Sequence, residues 1–142
     1  MLGMKKYPKK YIDACRERIK TNLRAYREHA KKAPSKNFES RYFNDQVLLL
    51  DYMFVHRLTG IEGKEGNPLN EVRIICNSIL LNEGKLQVEK LPGWPNSAGS
   101  GMRLPQEKSI LKFKPGDSIE LSESDFVRLS EAFFAEIEHK YT

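Results

Sequence analysis

Three groups of residues have types and spacings suited to chemistry. In TGIEGKEGN, Gly63-Lys64-Glu65-Gly66 sets two glycines around a lysine, the composition of a loop that cradles a phosphate. In RAYREH, Arg24 and His29 stand five positions apart in a basic stretch, pairing a permanent cation with a titratable imidazole. Asp45, Tyr52 and His56 form a polar seam along an otherwise apolar run, with Tyr52 and His56 one helical turn apart. A carboxylate, a phenol and an imidazole that shared a cleft would serve acid-base catalysis. Each group also has a plainer use: a turn between helices, a solvated basic face, and the wet edge of a core helix. No nucleophile or second carboxylate is placed beside the seam, and His29, His56 and His139 fall on three different segments, so neither a metal nor a cofactor is expected.

Charge is distributed unevenly. Residues 1–36 hold twelve Lys or Arg against Asp13, Glu17 and Glu28, a surplus of nine, whereas the whole chain carries only +5. A basic arm on an acidic body suits an anionic partner, either nucleic acid or an acidic protein surface, and equally a second copy of the chain. The residues nominated to bind are Lys9, Lys10, Arg16, Lys20, Arg24, Arg27 and Lys31 along that arm, with Lys64 in the glycine loop and Trp94 in PGWPNS. Such a row of cations neutralises phosphates without reading sequence.

The elements that must position these residues are legible from periodicity. Ile12, Cys15, Ile19, Leu23, Tyr26 and Ala30 mark a narrow stripe on a helix over about 8–32. Phe43, Val47, Leu50, Phe54 and Leu58 predict a second helix over 38–59, apolar nearly all round and hence central. Gly60 reads as its stop, and Asn67 with Pro68 as the cap and first position of a third helix that ends by Gly84. KLQVEK alternates as a short strand, SILKF and SIEL flank the turn Lys114-Pro115-Gly116-Asp117 as a hairpin, and residues 91–108 form a long loop. Ser122 and Asp125 open a last helix with an acidic outer side. The expected fold is one α+β domain of four principal helices and a small, mainly antiparallel sheet, with a helical core at 38–83 and the hairpin and last helix at 109–142. Cys15 and Cys76 lie inside helical patterns, as buried reduced thiols do. No apolar run approaches the roughly 20 residues that cross a bilayer, and MLGMKKYPKK is too polar for a signal peptide, so a cytoplasmic location is expected.

The order helix, GxxG, helix, strand, loop, strand, helix resembles the KH family of RNA-binding domains over about residues 47–141, with Leu69 and Val72 at that family's apolar positions. The resemblance implies that Gly63 to Gly66 grips a sugar-phosphate backbone. The chain departs from it at Glu62, Glu65 and Pro68. Arg24 and His29 resemble the R-x4-H signature of HEPN-type ribonucleases, which implies RNA cleavage across a dimer; Ala25 and the expected strands depart from that family. The preferred expectation is a non-enzymatic intracellular binding protein using its basic first helix. The alternatives are an RNA-processing enzyme or a KH-like module.

Overall fold

The computed structural model describes residues 3–32, 35–95 and 101–142. Four long helices and one short one follow in order: α1 (Lys9–Lys32), α2 (Lys36–Met53), α3 (Thr59–Glu62), α4 (Pro68–Leu81) and α5 (Glu123–Tyr141). Helices α2, α4 and α5 pack on one another, and α1 lies across α5 and α2. Phe43, Val47, Leu50 and Phe54 from the α2 segment meet Leu69, Val72 and Ile75 of α4 and Phe126, Leu129, Phe133 and Ile137 of α5 in one continuous apolar core. Helix α1 joins through Ile12, Cys15, Ile19 and Tyr26 alone among its fully buried residues, a stripe narrow enough to leave most of the helix in water.

Local signals set most helix starts. The Asn67 side chain accepts from the Asn70 amide with Pro68 at the first position of α4, and Ser122 and Asp125 form a reciprocal capping box at α5. The ends of α2 differ from the expected 38–59. Its last helical residue is Met53, because Phe54 leaves helical geometry and the Arg57 guanidinium donates to the freed Phe54 carbonyl at 3.1 Å. Gly60 accordingly lies inside α3 and is not a helix stop. The most enclosed helix is α4, with eight buried residues that include Asn70, Glu71 and Ser78; α2 keeps a wet side on which Tyr52 is 73% exposed.

The α+β expectation is overturned: among the described residues there is no sheet, only the isolated bridges Met4–Arg57 and Lys85–Ser118. The turn at Lys114 to Asp117 forms, with the Asp117 amide bonded to the Lys114 carbonyl and Gly116 at φ +90°. Its flanks do not pair with each other. Residues 116–119 bond instead to 84–86, through Leu86 N to Asp117 O, Gly116 N to Leu86 O and Ile119 N to Gly84 O. The 109–113 segment finds its acceptors in a helix side chain: the buried Glu71 carboxylate takes the Ser109 hydroxyl at 2.9 Å and the Ile110 and Leu111 amides at 2.7 and 3.0 Å. The Gln87 amide likewise goes to Ser78 Oγ at 2.9 Å. Amides already met by α4 side chains leave no donors for a ladder, and the 109–113 segment bends at Ile110 and Leu111 with Lys112 at φ +64°. Part of the 91–108 loop, residues 96–100, lies outside the described residues.

Candidate functional site

The glycine loop is built from its neighbours outward. Behind it lies a buried ionic cluster that begins with Arg57, whose side chain is 0% exposed. Arg57 donates to Glu62 Oε1 at 2.8 Å and Asp51 Oδ1 at 3.0 Å, and its guanidinium also sits 5.5 Å from the Phe133 ring. Asp51 is shared with Arg73 Nε at 3.2 Å, while Glu62 Oε2 accepts from Asn70 Nδ2 at 2.8 Å. Burial pushes the guanidinium pKa down, but the charges of Asp51 and Glu62 outweigh it and hold Arg57 protonated. Sequence reasoning missed this cluster. The available signal was that Asp51 and Arg57 interrupt the apolar run VLLLDYMFVHRL with opposite charges.

Asn70 then organises the loop itself, donating to the Gly63 carbonyl at 3.0 Å and accepting from the Gly66 amide at 3.0 Å. Gly66 has φ +100°, and a β-carbon there would come within 2.9 Å of Pro105. Glu65 pairs with Arg103, and the Lys64 carbonyl takes the Arg103 amide at 2.8 Å. The loop's polar backbone is thus turned toward Asn70 and the 103–108 segment, leaving the exposed Lys64 side chain as its outward cation. The KH-like reading also implies a sheet that the described residues lack.

The other catalytic candidates do not converge. Arg24 donates to Thr21 Oγ1 on its own helix, whereas His29 packs on Phe38 with ring centroids 4.5 Å apart. Five residues of helix separate the two by about 140° of rotation, one on each flank of α1. The helical fold removes one departure from the HEPN resemblance, but the side chains face different neighbours. Asp45 is exposed on α2 away from the cleft that Tyr52 and His56 line. Among the described residues, no group of three or more His, Cys, Asp or Glu gathers as metal ligands would. Cys15 and Cys76 are free and buried, and burial raises both thiol pKa values.

The basic segment divides into two sets. Arg16 and Arg27 reach across to Glu138 and Glu123 of α5, and Lys9, Lys20 and Lys31 pair with Asp13, Glu17 and Glu28 on α1 itself. Five of the twelve cations are therefore matched. Lys5, Lys6, Lys10, Arg18, Arg24, Lys32 and Lys36 are exposed and have no carboxylate partner among the described residues.

At the start of that segment the chain makes a cleft. Residues 3–8 run across the ends of α2 and α5, fixed by Met4 N to His56 O, Leu58 N to Met4 O and Tyr7 N to Tyr141 O. Met4, Tyr7, Pro8 and Tyr11 form one wall and Tyr52, Met53, Val55 and His56 the other, around a cavity of about 410 Å³. The Tyr7 and Tyr11 rings are stacked 18° from parallel with centroids 6.0 Å apart, and the Tyr11 hydroxyl donates to the Met53 carbonyl. Burial pushes the Tyr11 phenol up to about 12, so it remains a donor at any physiological pH. Trp94 is half-buried, with its amide bonded to the Leu91 carbonyl, and lies apart from this cleft.

No protein-family model matches the chain, and comparison with curated proteins and with solved structures returned no match. No helix among the described residues is long and apolar enough to cross a membrane.

Proposed function

We propose that this chain is a nucleic-acid-binding protein that engages phosphates through its amino-terminal segment. The observation that carries the reading is the set of seven exposed cations in residues 5–36 with no carboxylate partner among the described residues. Fully formed intramolecular pairs would leave that surface no net attraction for a polyanion; seven unmatched charges leave one. Electrostatic contacts of this kind act on any sequence, so the activity is affinity for the backbone and not recognition of a site. Arg24 and Lys10 carry it directly, while Arg16, Lys20, Arg27, Lys9 and Lys31 hold α1 in place or are locally neutralised.

The test is a salt series. Fluorescence anisotropy with labelled oligonucleotides between 50 and 200 mM salt is expected to give a linear fall of log affinity with log salt, of slope about −3 to −5 for four to six phosphates. The variant Lys5→Gln/Lys6→Gln/Lys10→Gln removes exposed groups alone and reduces that slope by about 2 to 3. Absence of binding to any oligonucleotide at the lowest salt overturns the reading. So does equal binding of an acidic polypeptide of matched charge, which would make the partner a protein surface.

A further inference from the structure

The cleft at the start of α1 has properties that phosphate contacts alone do not call for. Tyr52 is 73% exposed, and Met4, Tyr11 and Val55 are each 40% exposed around the same opening. Apolar and aromatic surface gathered at one concavity is costly to leave in water and marks a place where a ligand sits. A volume of about 410 Å³ falls within the roughly 300–1,000 Å³ usual for small-ligand sites.

The chemistry of the walls narrows the occupant. The exposed rings of Tyr11 and Tyr52 offer faces on which a flat aromatic group stacks, with the buried Tyr7 ring behind Tyr11. The wall segment itself supplies cations: Lys5 and Lys6 lie between Met4 and Tyr7, and Lys9 and Lys10 between Pro8 and Tyr11. All four are exposed and only Lys9 has a carboxylate partner, Asp13. No lining residue is acidic, and the nearest carboxylate in sequence, Asp51, is committed to Arg57 and Arg73. The positive end of α1, whose first turn contains no acid, opens at the same place. At the mouth, the Tyr52 hydroxyl and the His56 imidazole have no hydrogen-bond partner among the described residues, so both are free to meet a polar ring edge.

We infer that the Tyr11–Tyr52 cleft takes an unstacked nucleobase of a single-stranded nucleic acid while the lysines of residues 5–10 hold its flanking phosphates. A duplex keeps its bases paired and stacked, so it reaches the lysines without filling the cleft. This rests on the nucleic-acid reading above and adds to it a preference for single strands.

The experiment compares labelled ten-nucleotide oligo-U and oligo-dT with a duplex of equal length, on the full chain and on Tyr52→Ala. Tyr52 is open to water, so its loss leaves the core intact, and circular dichroism of the variant verifies this. Tyr52→Ala is expected to weaken single-strand binding roughly ten- to a hundredfold, to leave duplex binding unchanged, and to leave the salt slope at the wild-type value. Lys5→Gln/Lys6→Gln does the reverse, lowering the slope for both. Where Tyr52→Ala gives that selective loss, a preference for oligo-U over oligo-dT assigns the ligand as RNA, and equal binding as either strand. If wild type binds single strands and duplex alike and Tyr52→Ala alters neither, the base pocket is wrong while the polyanion reading stands. If nothing binds at low salt, the polyanion reading itself has failed.

Discussion

Arg57 carries more structural consequence than any nominated binding residue. It ties the end of α2 to α3 through Asp51, the Phe54 carbonyl and Glu62, and reaches the start of α4 at the Leu69 carbonyl. Two carboxylates face two guanidiniums, Arg57 and Arg73, so the cluster is neutral overall while each charge is individually expensive to bury. Arg57→Leu leaves Glu62 enclosed with no counter-charge and is expected to cost about 3–5 kcal/mol, read as a fall in the urea midpoint. Arg57→Leu/Glu62→Leu is expected to recover much of that loss, since an apolar pair needs no compensation. A single-variant cost under about 1 kcal/mol would mean that water already reaches the cluster. Neither the role of Arg57 nor that of Asn70 was visible from residue type, because an arginine beside a glycine loop reads the same whether it faces solvent or is sealed beneath it.

At the scale of elements, side chains of α4 take the place of strands. Glu71 satisfies three donors of the 109–111 segment, and Ser78 meets the Gln87 amide. Glu71→Ala is expected to destabilise the protein by about 2–3 kcal/mol, since the Ile110 and Leu111 amides lose a buried acceptor. Hydrogen exchange localises the effect: protection drops at those two amides and persists in α5. Uniform loss across the molecule would show instead that the segment is part of the global folding unit. Alternation in KLQVEK and the hairpin reading of SILKF were misleading signs of a sheet: the first keeps a single isolated bridge at Lys85, and the second bends at Ile110 and Leu111 with Lys112 at φ +64°. Periodicity reports which faces are apolar, and says nothing of whether the amides between them find a strand or a carboxylate. Capping, by contrast, was readable, because Ser122 with Asp125 and Asn67 with Asn70 act across three residues.

For the whole molecule, the phenols set an alkaline limit. Burial raises Tyr7, Tyr26, Tyr42 and Tyr141 from the ordinary value of 10.0, and Tyr11 to about 12. Above pH 10 the unfolded chain releases these protons while the folded chain keeps them, so the folded state binds more protons and stability falls as pH rises from 10 toward 12. The urea midpoint at pH 11 is expected to lie below that at pH 8, the buried Cys15 and Cys76 thiols beginning the decline near pH 9 and the phenols steepening it above pH 10. An unchanged midpoint at pH 11 would show that the phenols and both thiols ionise freely in the native state.

From its amino-acid order alone, this chain determined the span of α1, the caps of α4 and α5, the buried thiols and the concentration of positive charge in residues 1–36, all of which depend on neighbours a few positions away. Only the tertiary structure decided which of those cations are neutralised, since Glu123 and Glu138 reach Arg27 and Arg16 from the far end of the chain. It likewise decided that Met4 and Tyr11 face Tyr52 across a cleft and that Glu71 replaces a strand. Charge and periodicity are local quantities, whereas pairing and concavity arise when distant segments are folded against each other.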